Sequence, residues 1–404
     1  MTGRRGLSVR IGALVAVISV IAAATAAGAA PAPTWNEVTS PHVSGNSSEI
    51  DAMVTTGTDD LWAFGFDRAN IAGTFEWRVL GEHWNGSTWT RLNTLDRETT
   101  PAHDFIDGAA ATGPNDVWIV GHSDTAPGNQ ASRNLVEHWD GAHWTIDNTV
   151  PDPGVRRELL AASASGPGDI WAVGDATNPE VSDYNAMVLH RSGGTWSQVP
   201  FDLTVPGCNA ASRGELEAVD AVGPTDVYVA GWCQSQPIGR ERGFVAHWDG
   251  GSWTLVLRAN GAAELKELAT YHGEVWVAGN TYFRGEQDAT FPLVFHGTAA
   301  AGFTQVPVRH SPHFGGPVGA LSVGPGGVFI AGQLTATPHG NPTASFALHL
   351  LPNGKWRKEL VGTNSGGYAR LHAAATEPDG TSWLGGLGVG GTNLDPVALL
   401  DRRS

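Results

Sequence analysis

From about residue 47 to its end the chain alternates short apolar runs with glycine-rich polar turns, and the helical 3.6-residue spacing is missing. One unit recurs seven times. It opens with an alternating apolar run, as in Gly108-Ala109-Ala110-Ala111-Thr112, and turns at Gly113-Pro114-Asn115-Asp116. It then enters an aromatic-centred run closed by glycine, Val117-Trp118-Ile119-Val120-Gly121. The other copies close at Gly65, Gly174, Gly231, Gly279, Gly332 and Gly386, so successive glycines stand 56, 53, 57, 48, 53 and 54 residues apart. Seven units at that mean spacing of 53.5 fill about 375 residues. This leaves only an N-terminal segment of 29 and no length for a second domain.

Four strands are readable in each unit. Strand A precedes the Gly-Pro turn, where proline's fixed φ suits the turn, and strand B is the aromatic run. After a variable loop, strand C ends in a pattern such as Leu135-Val136-Glu137-His138-Trp139. An Asp140-Gly141 turn, a strong hairpin signal, leads to strand D around Trp144. Asn85-Gly86 and Asp249-Gly250 repeat that turn. Seven such units predict an all-β chain folded as a single seven-bladed β-propeller with four-stranded antiparallel blades. The strand D aromatics number six (Trp89, Trp144, Trp196, Trp253, Phe303 and Trp356), and the seventh unit stops after Val397-Ala398-Leu399-Leu400. The missing aromatic is Trp35, so a strand over 33–39 is expected to complete blade 7 and close the ring, covering two exposed strand edges.

The first 29 residues read as a signal peptide. Arg4, Arg5 and Arg10 precede an apolar stretch over 11–24, too short to span a bilayer, and Ala27-Gly28-Ala29 offers a cleavage site. The expected domains are therefore a signal peptide over 1–29 and the propeller over 30–404. The expected location is extracellular, with no membrane span after signal removal. The full chain carries 24 basic and 40 acidic residues, a net charge of −16. Losing three arginines with the signal makes the balance −19, which excludes a phosphate-backbone partner and hence nucleic acid. Two cysteines in an exported chain, Cys208 and Cys233, predict one disulfide and supply no metal set; no cofactor motif is present, and a monomer is expected.

Residues repeated in every unit serve the blade. Trp in strands B and D and at the end of strand C accounts for fourteen of the 16 tryptophans, leaving Trp77 and Trp232. His83, His138, His190, His247, His296 and His349 share one strand C position, with Leu400 assigned to it in the seventh unit. These histidines are expected to be buried and bonded within their own blades, often to the turn aspartate before strand B. The remaining chemistry is expected in the B–C and D–A loops, which emerge on one face and there bring Cys208 to Cys233. Ligand-binding candidates are Trp77, Trp232, Arg78, Arg242, Tyr282 and His313, because rings and guanidinium forks suit sugar faces and carboxylates.

The units resemble the Trp-Ala-Val-Gly and His-Trp-Asp-Gly repeats of secreted actinobacterial propeller proteins, seen here as Trp171-Ala172-Val173-Gly174 and His138-Trp139-Asp140-Gly141. That resemblance covers nearly the whole mature chain and implies fold and export. Asp140-Gly141-Ala142-His143-Trp144 is similar to a degenerate Asp-box, and Gly385-Gly386 to the doublet of kelch propellers; neither carries catalytic residues over. Two functions follow. The first is an extracellular binding propeller that presents its loop face to a glycan, wall polymer or protein ligand. The alternative is a carbohydrate-active enzyme, a polysaccharide lyase or glycoside hydrolase, with its site over the central channel. A lyase needs a base and a cation beside the uronate, and His122, Tyr184, Tyr368, Arg133 and Arg370 are the candidates.

Overall fold

The computed structural model describes residues 34–41, 47–94, 96, 103–124, 132–151, 156–178, 183–208, 214–234, 241–282, 290–308, 316–335, 342–359, 361, 368–389 and 397–403. The signal segment and His313 lie outside them. The described residues form seven four-stranded antiparallel sheets. Blade 1 is representative: strand A is Ser47–Gly57, B is Asp60–Ile71, C is Thr74–Trp84 and D is Trp89–Arg91. In blade 7, strands A to C are Tyr368–Thr376, Ser382–Val389 and Val397–Arg403, and strand D is the N-terminal Trp35–Glu37. Trp35 pairs with Arg403 and Glu37 with Asp401. The chain is a seven-bladed β-propeller closed by its own two ends.

Each of seven apolar cores lies between neighbouring blades, the last joining Trp383 and Leu400 of blade 7 to Ile50, Leu61 and Trp84 of blade 1. The strand B ring of one blade meets the strand D ring of the next. Trp62 lies 6.2 Å from Trp144, Trp118 6.2 Å from Trp196, and Trp383 5.4 Å from Trp89. Phe329 of blade 6 makes the same edge contact with Trp35 at 5.7 Å, so the N-terminal strand is packed as any other strand D.

A polar hub locks this closure. Glu359, nearly inaccessible to solvent, accepts from Trp35 Nε1 at 2.9 Å, Arg403 Nε at 2.7 Å and Arg357 Nη2 at 2.6 Å. His349 Nδ1 stands 3.2 Å away. Burial alone would raise the carboxyl, but bonds from His349, Arg403 and Arg357 hold its pKa at about 2.

The strand C histidines bond the turn aspartates: His83 Nε2 to Asp60 at 2.6 Å, His138 to Asp116 at 2.8 Å, His190 to Asp169 at 3.1 Å and His247 to Asp226 at 2.8 Å. Each also lies against the strand B ring opposite, His138 stacking on Trp118 at 3.9 Å. Five of the six column histidines are partly exposed and not buried, because the column runs along the blade's turn end, next to solvent; His349, held in the Glu359 hub, is buried. Register also corrects the seventh blade. Trp383 pairs with Arg402, while Leu400 pairs with Gly385, so Arg402 takes the histidine position. Strand C continues past Leu400 to Arg403, and the Arg402 guanidinium lies 2.8 Å from Asp59 of blade 1.

Every strand A carries a β-bulge. The unpaired residues are Asp51, Asp107, Leu160, Glu217, Lys266, Gly319 and His372. The bulge explains the closing glycine of each unit. It presses the backbone of strand A onto strand B, and a Cβ at Gly121 would overlap the carbonyl oxygen of Phe105. Gly65, Gly174, Gly231, Gly279, Gly332 and Gly386 each face the equivalent carbonyl.

Candidate functional site

Strands A pack side by side around the ring, so their bulges converge. All seven bulge residues line one cavity of about 360 Å³ at the channel mouth, together with Glu267, Gln333 and Arg370. Immediately above, register opposes Glu49 to Phe66, Phe105 to His122, Glu158 to Asp175, Glu215 to Trp232, Glu264 to Asn280 and Arg370 to Leu387. Neither tier repeats from blade to blade. The fold supplies seven equivalent positions per tier, and the chain fills them with different chemistry, carboxylates outnumbering cations.

The like charges crowd one another. Asp51 is pushed well above the ordinary carboxylate range by burial and then by Glu49 and Asp107. Burial, Glu217 and Asp175 push Glu215 up to about 8, and burial with Glu217 raises Glu267. Lys266 is the bulge cation. Burial opposes its charge, yet Glu217 at 2.8 Å and Glu264 at 3.5 Å hold it above the ordinary lysine value. Glu217 Oε1 also accepts from Trp232 Nε1 at 3.2 Å. His122 is raised against the effect of burial by Asp107, whose Oδ2 stands 3.3 Å from Nδ1. Glu49, Asp51 and His372 bring three ligand atoms within 4.8 Å of one another.

An aromatic strip runs from beside this mouth along the seam of blades 1 and 2. His122 stacks on Phe105 at 4.9 Å, Phe105 lies 6.3 Å from Trp77, and Trp77 lies 5.0 Å from His103 and 6.5 Å from Phe75. The Arg68 guanidinium sits over Phe75 at 3.9 Å. Strands B and C of blade 1 stay paired to Ile71 and Thr74, and Ala72-Gly73, both with positive φ, make the turn. Ile71 and Phe75 stand exposed at its tip.

Trp77 and Trp232 therefore occupy strands, not the expected loops, because hairpin pairing continues outward past the closing glycines. Cys233 likewise lies within strand B of blade 4 and forms the expected disulfide with Cys208, their Cα atoms 5.9 Å apart. Arg78 is paired with Glu76 at 2.6 Å and Asp96 at 3.4 Å, and Arg242 donates to the Gly261 carbonyl at 2.8 Å. Arg370 of blade 7 lines the mouth, whereas His122 of blade 2 adjoins it only through Asp107, and Arg133 is exposed on strand C of blade 2. Tyr184, Tyr282 and Tyr368 are backbone members of strands, and their side chains lie outside the described part.

Sequence reasoning passed over the bulge residues because it searched loops. A signal existed: strand A reads Ile50-Asp51-Ala52, Ile106-Asp107-Gly108, Leu216-Glu217-Ala218 and Leu371-His372-Ala373, one variable polar residue between an apolar and a small one.

No protein-family model and no curated protein sequence matches the chain. Solved structures with the same fold do. YCF48 bound to a D1 peptide is 14% identical, with a TM-score of 0.52 over 91% of this chain and 96% of that one. The Swd1 propeller domain of Myceliophthora thermophila is 9% identical, with a TM-score of 0.56 over 91% of this chain and 98% of that one. The GH74 xyloglucanase of Xanthomonas campestris is 13% identical at 0.54 over 91% of this chain, which spans 55% of that enzyme. At these identities the likeness establishes the propeller fold.

Proposed function

We propose that this is an exported, non-catalytic binding propeller that takes a positively charged segment of an extracellular protein at its channel mouth. The carrying observation is the bulge ring, which directs Asp51, Asp107 and Glu217 into one cavity; among the described residues Lys266 and Arg370 are its lysine and arginine lining residues. Such a mouth attracts guanidinium and ammonium groups, and the strip from His122 to Phe75 offers apolar surface and π-faces to the flanking residues. The N-terminal segment and the disulfide support export. YCF48, which has the same fold, was solved with a D1 peptide bound, and this supports the reading.

The test is titration, in EDTA, with an Arg- and Lys-rich decapeptide and with its citrulline and acetyl-lysine counterpart. The charged peptide should bind, weaken as salt rises, and lose at least about tenfold in affinity with Glu217→Gln or Trp77→Ala. Equal binding of the two peptides, or binding of neither, overturns the reading.

One observation favours the enzymatic alternative. Glu215, held protonated at neutral pH by its pKa of about 8, stands two residues from Glu217, and a proton-bearing carboxyl beside a second one suits glycoside hydrolysis. Reducing sugar released from a polysaccharide by the wild type and lost in Glu215→Gln would replace the binding reading with this one.

A further inference from the structure

The seam where blade 7 meets blade 1 is the one place, among the described residues, where three metal-capable side chains gather this closely. Their donor atoms, one each from Glu49, Asp51 and His372, lie within 4.8 Å of one another. Asp51 and His372 are bulge residues of adjacent strands A, so ladder pairing on both sides of each bulge fixes their position in the channel. Glu49 precedes Asp51 by two residues on the same strand.

Protein partners satisfy this cluster only in part: Glu49 and His372 face each other as an ion pair, and Asp51 is left without one among the described residues. His372 Nε2 is a buried nitrogen without a hydrogen bond, although Glu49 Oε1 stands 3.1 Å away. The Asp51 carboxylate has no hydrogen bond or ion pair among the described residues, and the charges acting on it, Glu49 and Asp107, are of its own sign. Arg370 lines the same cavity from two residues before His372, but it is exposed and bonds none of them.

We propose that Glu49, Asp51 and His372 bind one divalent transition-metal ion, Zn²⁺ or Mn²⁺, across the seam between the last blade and the first. Two carboxylate oxygens with one imidazole nitrogen suit these ions, whereas Ca²⁺ and Mg²⁺ favour all-oxygen sets. Metal–ligand bonds of about 2.0–2.2 Å place neighbouring ligand atoms roughly 3–3.6 Å apart, so the observed separations close with side-chain movements of about 1 Å. Water from the channel fills the remaining positions. The ion would tie together strands contributed by opposite ends of the repeat array, beside the join that Trp35 makes on the outer side. The site shares Asp51 and the cavity with the peptide-binding mouth, so the peptide is titrated in EDTA and the two readings fail separately.

The experiment uses untagged mature protein and calorimetric titration with ZnCl₂ and MnCl₂. One ion per chain should bind. At a free concentration of 100 times its Kd it should raise the unfolding temperature by about 3 °C, reversibly on adding EDTA. Asp51→Asn and His372→Ala should each lose at least about tenfold in affinity while unfolding in EDTA at or above the wild-type temperature. His143→Ala, at an exposed turn of blade 2, should bind as wild type. If either principal variant fails to fold, Glu49→Gln serves in its place. Absence of saturable one-to-one binding by both ions, or undiminished affinity in the variants at the seam, overturns the proposal.

Discussion

The two ends of each blade are built from the same strands and obey opposite rules. At the A–B turn end the strand B aromatic recurs in all seven blades, the strand C histidine in six and the turn aspartate in four, and Asp116 accepts from Trp118 Nε1 at 2.8 Å and bonds His138 and Thr112 as well. Partial burial works against that carboxylate, yet those three bonds bring Asp116 below the ordinary range. At the mouth end no residue type holds the bulge position in more than two blades, the pairs above it differ from blade to blade, and Asp51, Glu215 and Glu267 are pushed upward. One end uses its ionisable groups to hold the fold. The other holds ionisable groups that the fold would be more stable without, a mark of a functional surface.

That contrast breaks most sharply at the closure hub. Glu359→Ala leaves Arg403 and Arg357 without their carboxylate, and it should lower stability by about 3–5 kcal/mol in chemical denaturation, more than any single substitution at the mouth. The same hub sets an acid limit. Its carboxyl falls from an ordinary value near 4.5 to about 2 on folding, so its contribution is complete above pH ~4.5 and disappears as pH drops towards 2. Glu359→Gln should therefore flatten the acid limb of the stability–pH curve.

A smaller effect connects the two ends. Gly121→Ala places a methyl group against the Phe105 carbonyl, so strand A must give up its bulge or shift; the expected loss is about 1–3 kcal/mol. Because the bulge aims Asp107 into the cavity, this variant should also weaken the basic peptide. A variant that loses stability but binds the peptide normally would separate the glycine from the mouth.

The repeated end was legible in the sequence because repetition is itself the signal. The Trp and His columns, the turn aspartates and the role of Trp35 all follow from aligning the chain with itself, and only the seventh histidine position was misassigned, where Arg402 breaks the pattern. The mouth was less legible. A bulge adds one residue to one strand and shifts pairing locally, so Asp51 or His372 looks like an interruption in an apolar run until the partner strand's register is known. The aromatic strip was half visible. Trp77 stood out as unrepeated, but Phe105, His103 and Phe75 gain their meaning only from the long blade 1 hairpin and the ring contacts it makes with blade 2.

Paired neutralisations at the two ends, followed by thermal unfolding from pH 5 to 9, test this account most directly. Glu215 gains a proton on folding: its carboxyl rises from an ordinary 4.5 to about 8, so wild-type stability should decline as pH rises through that interval. Glu215→Gln should reduce that decline, Asp51 and Glu267 supplying the remainder, and unfold at a higher temperature than wild type at pH 8. Asp116→Asn, which weakens bonds to His138, Trp118 and Thr112, should instead cost about 1–2 kcal/mol at pH 7. If Glu215→Gln proves less stable than wild type at pH 8, or if both substitutions destabilise alike, the division between a structural end and a functional mouth is wrong.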